Sequence, residues 1–426
     1  MVWSNWAREQ RCAPQRIERP RSEAELCDIV AGADRVKAVG SGHSFTDIAC
    51  TDGVMVDLSR MNSVLESDSE LVRVQAGISI AECARELAAR GLALENQGDI
   101  DKQSLAGAVA TATHGTGVRF RNLSAQIAGI RLVTASGETR QLEGDELLAG
   151  RVSLGALGVI SELTMRCVPS FTIHRVDEPR PLAQVLDGLE KAADGNDHFE
   201  LFVFPYADRA LTLTSERSAR EPEPRPEWRQ RLEDRFENGA LGLATSLSRA
   251  VPRLAPAANR TITRLMGRRE RVDLSHRVYA HERRVRFTEM EYAIPRAHTR
   301  EALERVFSTI DRRRLAVNFP IEVRFAAGDD AFLSTAHGRD TGYIAVHVSH
   351  GCEFETYFRA VERIMDDYGG RPHWGKRHYQ TAATLRSRFP DWERFQAVRA
   401  RLDPEGVFAN DYVERVLGPV GVPVPA

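Results

Sequence analysis

The sequence predicts an α+β fold in two parts, on three observations. Short strands with alternating faces are interleaved with capped helices through the first third of the chain. Near residue 170 the texture changes to longer alternating segments separated by helical stretches. The chain is also 426 residues long, more than one hydrophobic core usually supports.

The elements follow in order. Ser22-Glu23-Ala24-Glu25 reads as a capping box that opens a helix towards Ala33. Arg35 to Val39 alternates and ends in the Gly-Ser-Gly turn at 40–42. Val54 to Leu58 and Leu71 to Gln75 are further short strands. Ser79 to Glu82 is a second capping box, and its helix stops at Gly91. Ile130–Thr134 and Glu138–Leu142 flank Ser136-Gly137, a hairpin signal. Val159 to Val168 closes this region, so the first part is taken as 1–169. From 170 to 370, strands at 199–204, 286–294, 321–327 and 343–349 alternate with helices at 297–313 and 353–368. Residues 215–229 are charged and Pro-rich and read as an exposed loop. The segment 371–426 is too short to bury a core of its own and must pack back onto the rest.

Composition narrows the function. With 58 Lys and Arg against 60 Asp and Glu, the net charge is −2, which gives no global attraction to nucleic acid or anionic lipid. Arg260, Arg264, Arg268, Arg269 and Arg271 read as a solvated helix face rather than a nucleic-acid patch. No apolar run is long enough to span a membrane, and the N-terminus lacks the apolar stretch of a signal peptide. The six cysteines are scattered without a C-x-x-C pair, so neither a zinc knuckle nor a redox dithiol is expected. A reduced, cytoplasmic protein is the expectation.

Four segments could carry chemistry. Val39-Gly-Ser-Gly-His-Ser-Phe45 combines two glycines, whose backbone can present N–H groups to a pyrophosphate, with His43 inside the loop. An ordinary strand-ending turn is the competing reading, and the Rossmann fingerprint is not met. In the run from Ser104 to Gly117 only His114 exceeds Leu in size. It suits either close helix packing or close backbone approach to a ligand, and its closing His-Gly-Thr-Gly favours the ligand loop. Glu322 and Arg324 sit two apart on an alternating strand and so project from one face, which is either a surface ion pair or a site. His373-Trp-Gly-Lys376 is the fourth, with His347 and Ser349 sharing one face of a nearby strand. His347 and His350 point to opposite faces and no H-E-x-x-H helix occurs, so no metal site is expected. Nor does a G-x-S-x-G elbow appear.

Taken in this order, with Trp3-Ser-Asn-Trp6 before them and DPEGVFANDY (403–412) after them, these segments resemble the vanillyl-alcohol oxidase (PCMH) type of flavoprotein. Within that type they resemble the sugar-1,4-lactone oxidoreductases, with the alditol oxidases as a near branch. The resemblance implies a two-subdomain FAD-binding domain and an α+β substrate domain that caps the flavin. It implies FAD held by Gly40, Ser41, Gly42, His43, Ser44, Phe45, Ser104, Val109, Ala112, Thr116, Gly117, Ile160 and Lys376. Family members with His at the place of His43 carry the flavin covalently, so an 8α-histidyl bond to His43 is expected. Glu322, Arg324 and Lys376 are the implied catalytic residues, and Ser104, Glu322, Arg324, Ser349 and His373 the implied substrate contacts. The expected reaction is hydride transfer from the carbinol of an aldono-1,4-lactone, such as L-gulono-1,4-lactone, to the flavin, giving an ascorbate-type product. Glu322 takes the hydroxyl proton, Arg324 meets the negative charge growing on oxygen, and Lys376 balances the reduced cofactor. Oxidation of xylitol or sorbitol with release of hydrogen peroxide is the alternative. The expected electron acceptor is oxygen or a cytochrome- or dye-like partner.

Overall fold

The computed structural model describes residues 2–223, 251–280 and 285–422, with the single positions 239, 242, 245 and 249. Three sheets organise it. Arg16–Glu18, Val54–Asp57 and Val36–Val39 form a small parallel sheet with Val54–Asp57 in the middle. Parallel neighbours need a crossover, and the helix Glu23–Ala31 supplies it. A five-stranded antiparallel sheet runs in the order Thr139–Gln141, Ile127–Val133, Val159–Arg166, Leu71–Gln75, Val64–Asp68. The third sheet has eight antiparallel strands, and four of its inner members are His198–Val203, Ile321–Ala326, Thr341–Ser349 and Phe287–Pro295.

Two large apolar clusters lie under these sheets. One joins Leu26, Val56, Leu105 and Leu163 to Trp374, Trp392, Phe395 and Tyr412, so the C-terminal segment is built into the same core as the first sheets. Its docking is specific. Asn410 caps the helix Asp411–Leu417 with its side-chain oxygen while its amide donates to the carbonyls of Asp47, Ile48 and Cys50. Lys37 is buried and donates to the carbonyls of Gly155 and Phe408, 3.2 and 3.1 Å away. The other cluster joins Leu201, Val323 and Val346 to the outer helices Thr299–Arg313 and Glu355–Asp366.

Most sequence-predicted elements stand within a residue or two. Ser79 and Glu82 form a full capping box. At Ser22 only half of it forms: the hydroxyl accepts from Glu25 N–H, but the Glu25 carboxylate accepts from Arg21 N–H instead. Of the predicted loop 215–229, residues 215–218 belong to the strand Arg209–Ser218, because they pair with Thr172–Arg175; residues 224–229 lie outside the described residues. The basic cluster divides as well: Arg260 and Arg264 lie on the helix Ala255–Leu265, whereas Arg269 and Arg271 lie on the strand Arg269–Leu274. No helix of the described residues is long and apolar enough to cross a membrane.

Candidate active site

Strand register brings the site together. In the eight-stranded sheet Glu322 lies opposite Ala345 and Phe202, Arg324 opposite Tyr343, Glu289 opposite His347 and Glu291 opposite Ala345. Side chains two apart share a face, so Glu289, Glu291, Glu322, Arg324, Tyr343 and His347 all rise from one side. Ala345 pairs with both Glu291 and Glu322 and separates the two glutamates with a small side chain. Glu322 and Arg324 are both buried, which removes the surface ion-pair reading.

Arg324 is ringed by acids. It contacts Glu322, and lies 3.3 Å from Asp99 and 3.4 Å from Glu200. Burial drives the Glu322 carboxyl well above the usual carboxylate range; Arg324 opposes this, and Glu200 and Asp99 reinforce it. A second group gathers around Lys376, whose Nζ is 2.5 Å from Glu289 Oε1 and 2.9 Å from Glu291 Oε2. Burial alone would lower the lysine, but the two carboxylates outweigh it and hold the ammonium above its ordinary range. Lys376 thus keeps its charge through Glu289 and Glu291, with no cofactor needed. In turn Lys376 and His347 outweigh the burial of Glu289 and keep its carboxyl at about 2. His373 accepts from Gly375 N–H at Nδ1, and burial together with Lys376 pushes it down to about 3. Two acid–histidine clusters, His114/Glu291/His373 and Glu289/Glu322/His347, converge closely enough to hold a metal. The Lys376 ammonium already sits against a carboxylate of each.

Two cavities meet here. The first is lined by Phe45, Thr113, Glu289, Glu322, Arg324, His347, His373 and Lys376 among others. The second, of about 420 Å³, runs along Gly40–Gly42, Gly77, Ser104, Gly155 and Ile160. His43, Ser44, Gln103 and Thr111 line both, so the two adjoin at the histidine. Glycine is required along the second: a Cβ on Gly40 would sit 2.0 Å from Ser104 Oγ, and one on Gly77 1.8 Å from the Leu58 carbonyl oxygen. His43 is held by the N-terminal hairpin. Trp6 stacks on it with ring centroids 5.4 Å apart, Trp6 N–H donates to the Gly42 carbonyl, and the Asn5 amide donates to the Ser44 carbonyl. Burial lowers the imidazole to about 4.

Of the sequence-predicted residues, Gly40, Ser41, Gly42, His43, Ser44, Ser104 and Ile160 line the long cleft, and Phe45, Glu322, Arg324, His373 and Lys376 line the cavity. Others lie off both. Val109 and Ala112 are fully buried in the first core, since they are the inward face of the helix Leu105–Ala110 and its end. Thr116 donates to the Phe199 carbonyl and Gly117 N–H to the Phe325 carbonyl, so these two tie the loop to the large sheet. Ser349, at a strand end beside Asn318, is not among the lining residues. The sequence reading missed Asp99, Glu200, Glu289 and Glu291. Only the last pair had a usable signal, two glutamates in alternation within an otherwise apolar strand, Phe287–Pro295.

An elongated, glycine-lined cleft ending at a half-buried neutral histidine fits a dinucleotide whose ring system reaches the acid–arginine pair. The buried Thr113 Oγ1 on the cavity wall, without a partner in the protein, fits a ligand there too. A model of the FAD-binding domain matches residues 14–143 and one described as D-arabinono-1,4-lactone oxidase matches residues 163–416. Cholesterol oxidase from Brevibacterium sterolicum shares the fold, with a TM-score of 0.82 at 17% identity over 98% of this chain and 96% of that one. Fold and site therefore define an FAD-binding oxidoreductase. The chain is 61% identical to L-gulono-1,4-lactone dehydrogenase of Mycobacterium tuberculosis over 98% of its length and 99% of the relative's. It is 35% identical to L-gulonolactone oxidase of Bos taurus, covering 97% and 98%, and 35% identical to alditol oxidase of a Streptomyces, covering 97% and 98%. It belongs to the D-arabinono-1,4-lactone oxidase family of sugar-lactone oxidoreductases.

Proposed function

We propose that this enzyme oxidises the C2 carbinol of L-gulono-1,4-lactone, or of a closely related aldono-1,4-lactone, and passes the electrons to an acceptor other than oxygen. The observation that carries the reading is the buried Glu322–Arg324 pair, projecting from one strand into the cavity that His43 and Lys376 also line. The identity and acceptor preference are supported by the 61% relative, a lactone dehydrogenase by name.

Residues 40–44, 77, 104 and 160 would hold FAD along the cleft, with Lys376 at its ring end. Bound FAD supplies the two-electron oxidant. His43 would hold it covalently: its imidazole lines both cavities, and burial keeps it neutral and therefore nucleophilic. Residues 1–169 and 371–426 form the cofactor half and 170–370 the substrate half, a division supported by the two apolar clusters.

Glu322 is the proton acceptor. A carboxylate whose proton affinity is raised is a stronger base, nearer in strength to what hydroxyl deprotonation needs. Arg324 is charged at every working pH and faces the oxygen on which negative charge develops. Both side chains are buried in the sheet face, where charge interactions are stronger than in open water. Because all six thiols are free, a reducing compartment such as the cytoplasm suits the chain.

The runner-up is alditol oxidation, favoured by one observation: the Streptomyces alditol oxidase is as similar to this chain as the bovine lactone oxidase. Steady-state turnover of L-gulono-1,4-lactone, D-arabinono-1,4-lactone, xylitol and sorbitol, each with a dye and with oxygen, separates the readings. Preference for a lactone with the dye is expected; preference for a polyol with oxygen would overturn the proposal. Flavin that stays with acid-precipitated wild-type protein but leaves H43A would establish the covalent bond, and release from both would disprove it.

A further inference from the structure

His114 occupies an unusual position for a histidine. Its Nδ1 faces the Gly115 carbonyl oxygen at 2.8 Å and its Nε2 faces Glu291 Oε2 at 3.1 Å. Carbonyl and carboxylate oxygens only accept, whereas a neutral imidazole carries one N–H. Both ring nitrogens must therefore be protonated, unless the proton rests on Glu291. That alternative is disfavoured, because Glu291 also accepts from the Lys376 ammonium. Against its burial, Lys376 and then His114 keep the carboxyl well below the usual range. The ring is clamped by Tyr343, stacked at 3.6 Å between centroids and only 16° from parallel. The Tyr343 hydroxyl is itself hydrogen-bonded to Asn122 and Thr335.

The consequence is a matter of charge. Lys376 with Glu289 and Glu291 alone sums to −1, a poor surrounding for a ring that gains electrons. Each imidazolium adds one positive charge, so one brings the sum to zero and a second brings it to +1. His347 is set in the same way, with Nδ1 facing the Pro320 carbonyl and Nε2 facing Glu289, so two histidine–glutamate pairs flank one lysine.

We propose that His114 is a standing imidazolium and a positioning residue that, through Glu291, holds Lys376 and raises the midpoint potential of the flavin bound beside it. This rests on the reading that the flavin ring lies next to Lys376.

The test is the midpoint potential of the bound flavin, measured by anaerobic equilibration with a reference dye in wild-type holoenzyme and in H114Q, E291Q, H114Q/E291Q and K376M. H114Q removes one positive charge from beside Glu291 and Lys376, and its two-electron equilibrium should shift at least tenfold against reduction, about 30 mV. E291Q removes the carboxylate together with the need for the imidazolium, so it should stay close to wild type. The double variant should recover most of what H114Q loses, which a merely structural role of His114 would not produce. A wild-type potential in H114Q, or a double variant lower than H114Q, overturns the inference. If K376M leaves the potential unchanged, the flavin does not lie beside the lysine and both readings fall; if K376M lowers it and H114Q does not, the imidazolium inference alone fails. Should H114Q not retain flavin, the nitrogen resonances of ¹⁵N-labelled histidine in the wild-type holoenzyme decide. Two protonated ring nitrogens at His114 support the inference and a neutral tautomer refutes it.

Discussion

The long cleft and the cavity adjoining it share His43, Ser44, Gln103 and Thr111, yet they are built by opposite means. The cleft is largely backbone and small side chains, drawn mainly from 37–49, 76–79, 102–111 and 153–160, with Gly40 and Gly77 admitting no Cβ. The cavity is charge: Asp99, Glu289 and Glu322 against Arg324 and Lys376, backed by Glu200 and Glu291; the glutamates and Arg324 project from strands far apart in the chain and aligned by register, and loops bring in Asp99 and Lys376. Binding a large cofactor needs close approach and few specific groups, whereas moving a proton and a hydride needs a few groups held rigidly. A wide sheet supplies that rigidity.

Substitutions on the two sides should therefore fail differently. The largest effect belongs to the cavity. E322Q is expected to lower kcat by about 10²–10⁴-fold, the loss typical of an acid–base group, while flavin content stays at the wild-type level; turnover near wild type would remove Glu322 from proton transfer. G77A tests the cleft. Its Cβ would press on the Leu58 and Met61 carbonyls, a misfit expected to cost about 1–3 kcal/mol, read as lower thermal stability together with reduced flavin content. A fully loaded, equally stable G77A would show that the cleft tolerates what its geometry forbids. A gentler probe is pH. Because the Glu322 carboxyl is raised, its ionised form accumulates as pH rises through that raised value, so kcat/KM should climb on the acid limb. The limb should disappear in E322Q, and a limb that persists there would assign it to another group. The smallest effect is expected at Ser349, off the cavity wall: S349A should change KM by no more than about twofold, corresponding to ~0.5 kcal/mol. A larger rise would return that serine to the substrate site.

The same contrast explains what could be read from the sequence. The cleft is encoded locally, so Gly40 to Ser44 and Ser104 stood out as small-residue segments beside a histidine. The helices that begin at Ser22 and Ser79 were legible for a similar reason, because a cap is a four-residue pattern. In the cavity, Glu322 and Arg324 were visible as neighbours two apart, but nothing local says that Glu200, Asp99 and Glu289 converge on them. Strand order and register place Glu200 and Glu289, and a loop docked on the sheet brings in Asp99; all of this is tertiary structure. Val109, Ala112, Thr116 and Gly117 lie within the segment that approaches the cleft, and they turn to the core or bond to the large sheet. Lys376 was expected to balance the reduced cofactor, but nothing local shows what holds its own charge: a glutamate pair from a strand some ninety positions away in the sequence.

The most direct test of the central claim is anaerobic mixing of the holoenzyme with L-gulono-1,4-lactone while flavin absorbance is followed. The account predicts bleaching that persists when air is admitted and reverses on addition of a dye or cytochrome c. Absence of bleaching by the lactone, with bleaching by xylitol or sorbitol, would contradict it.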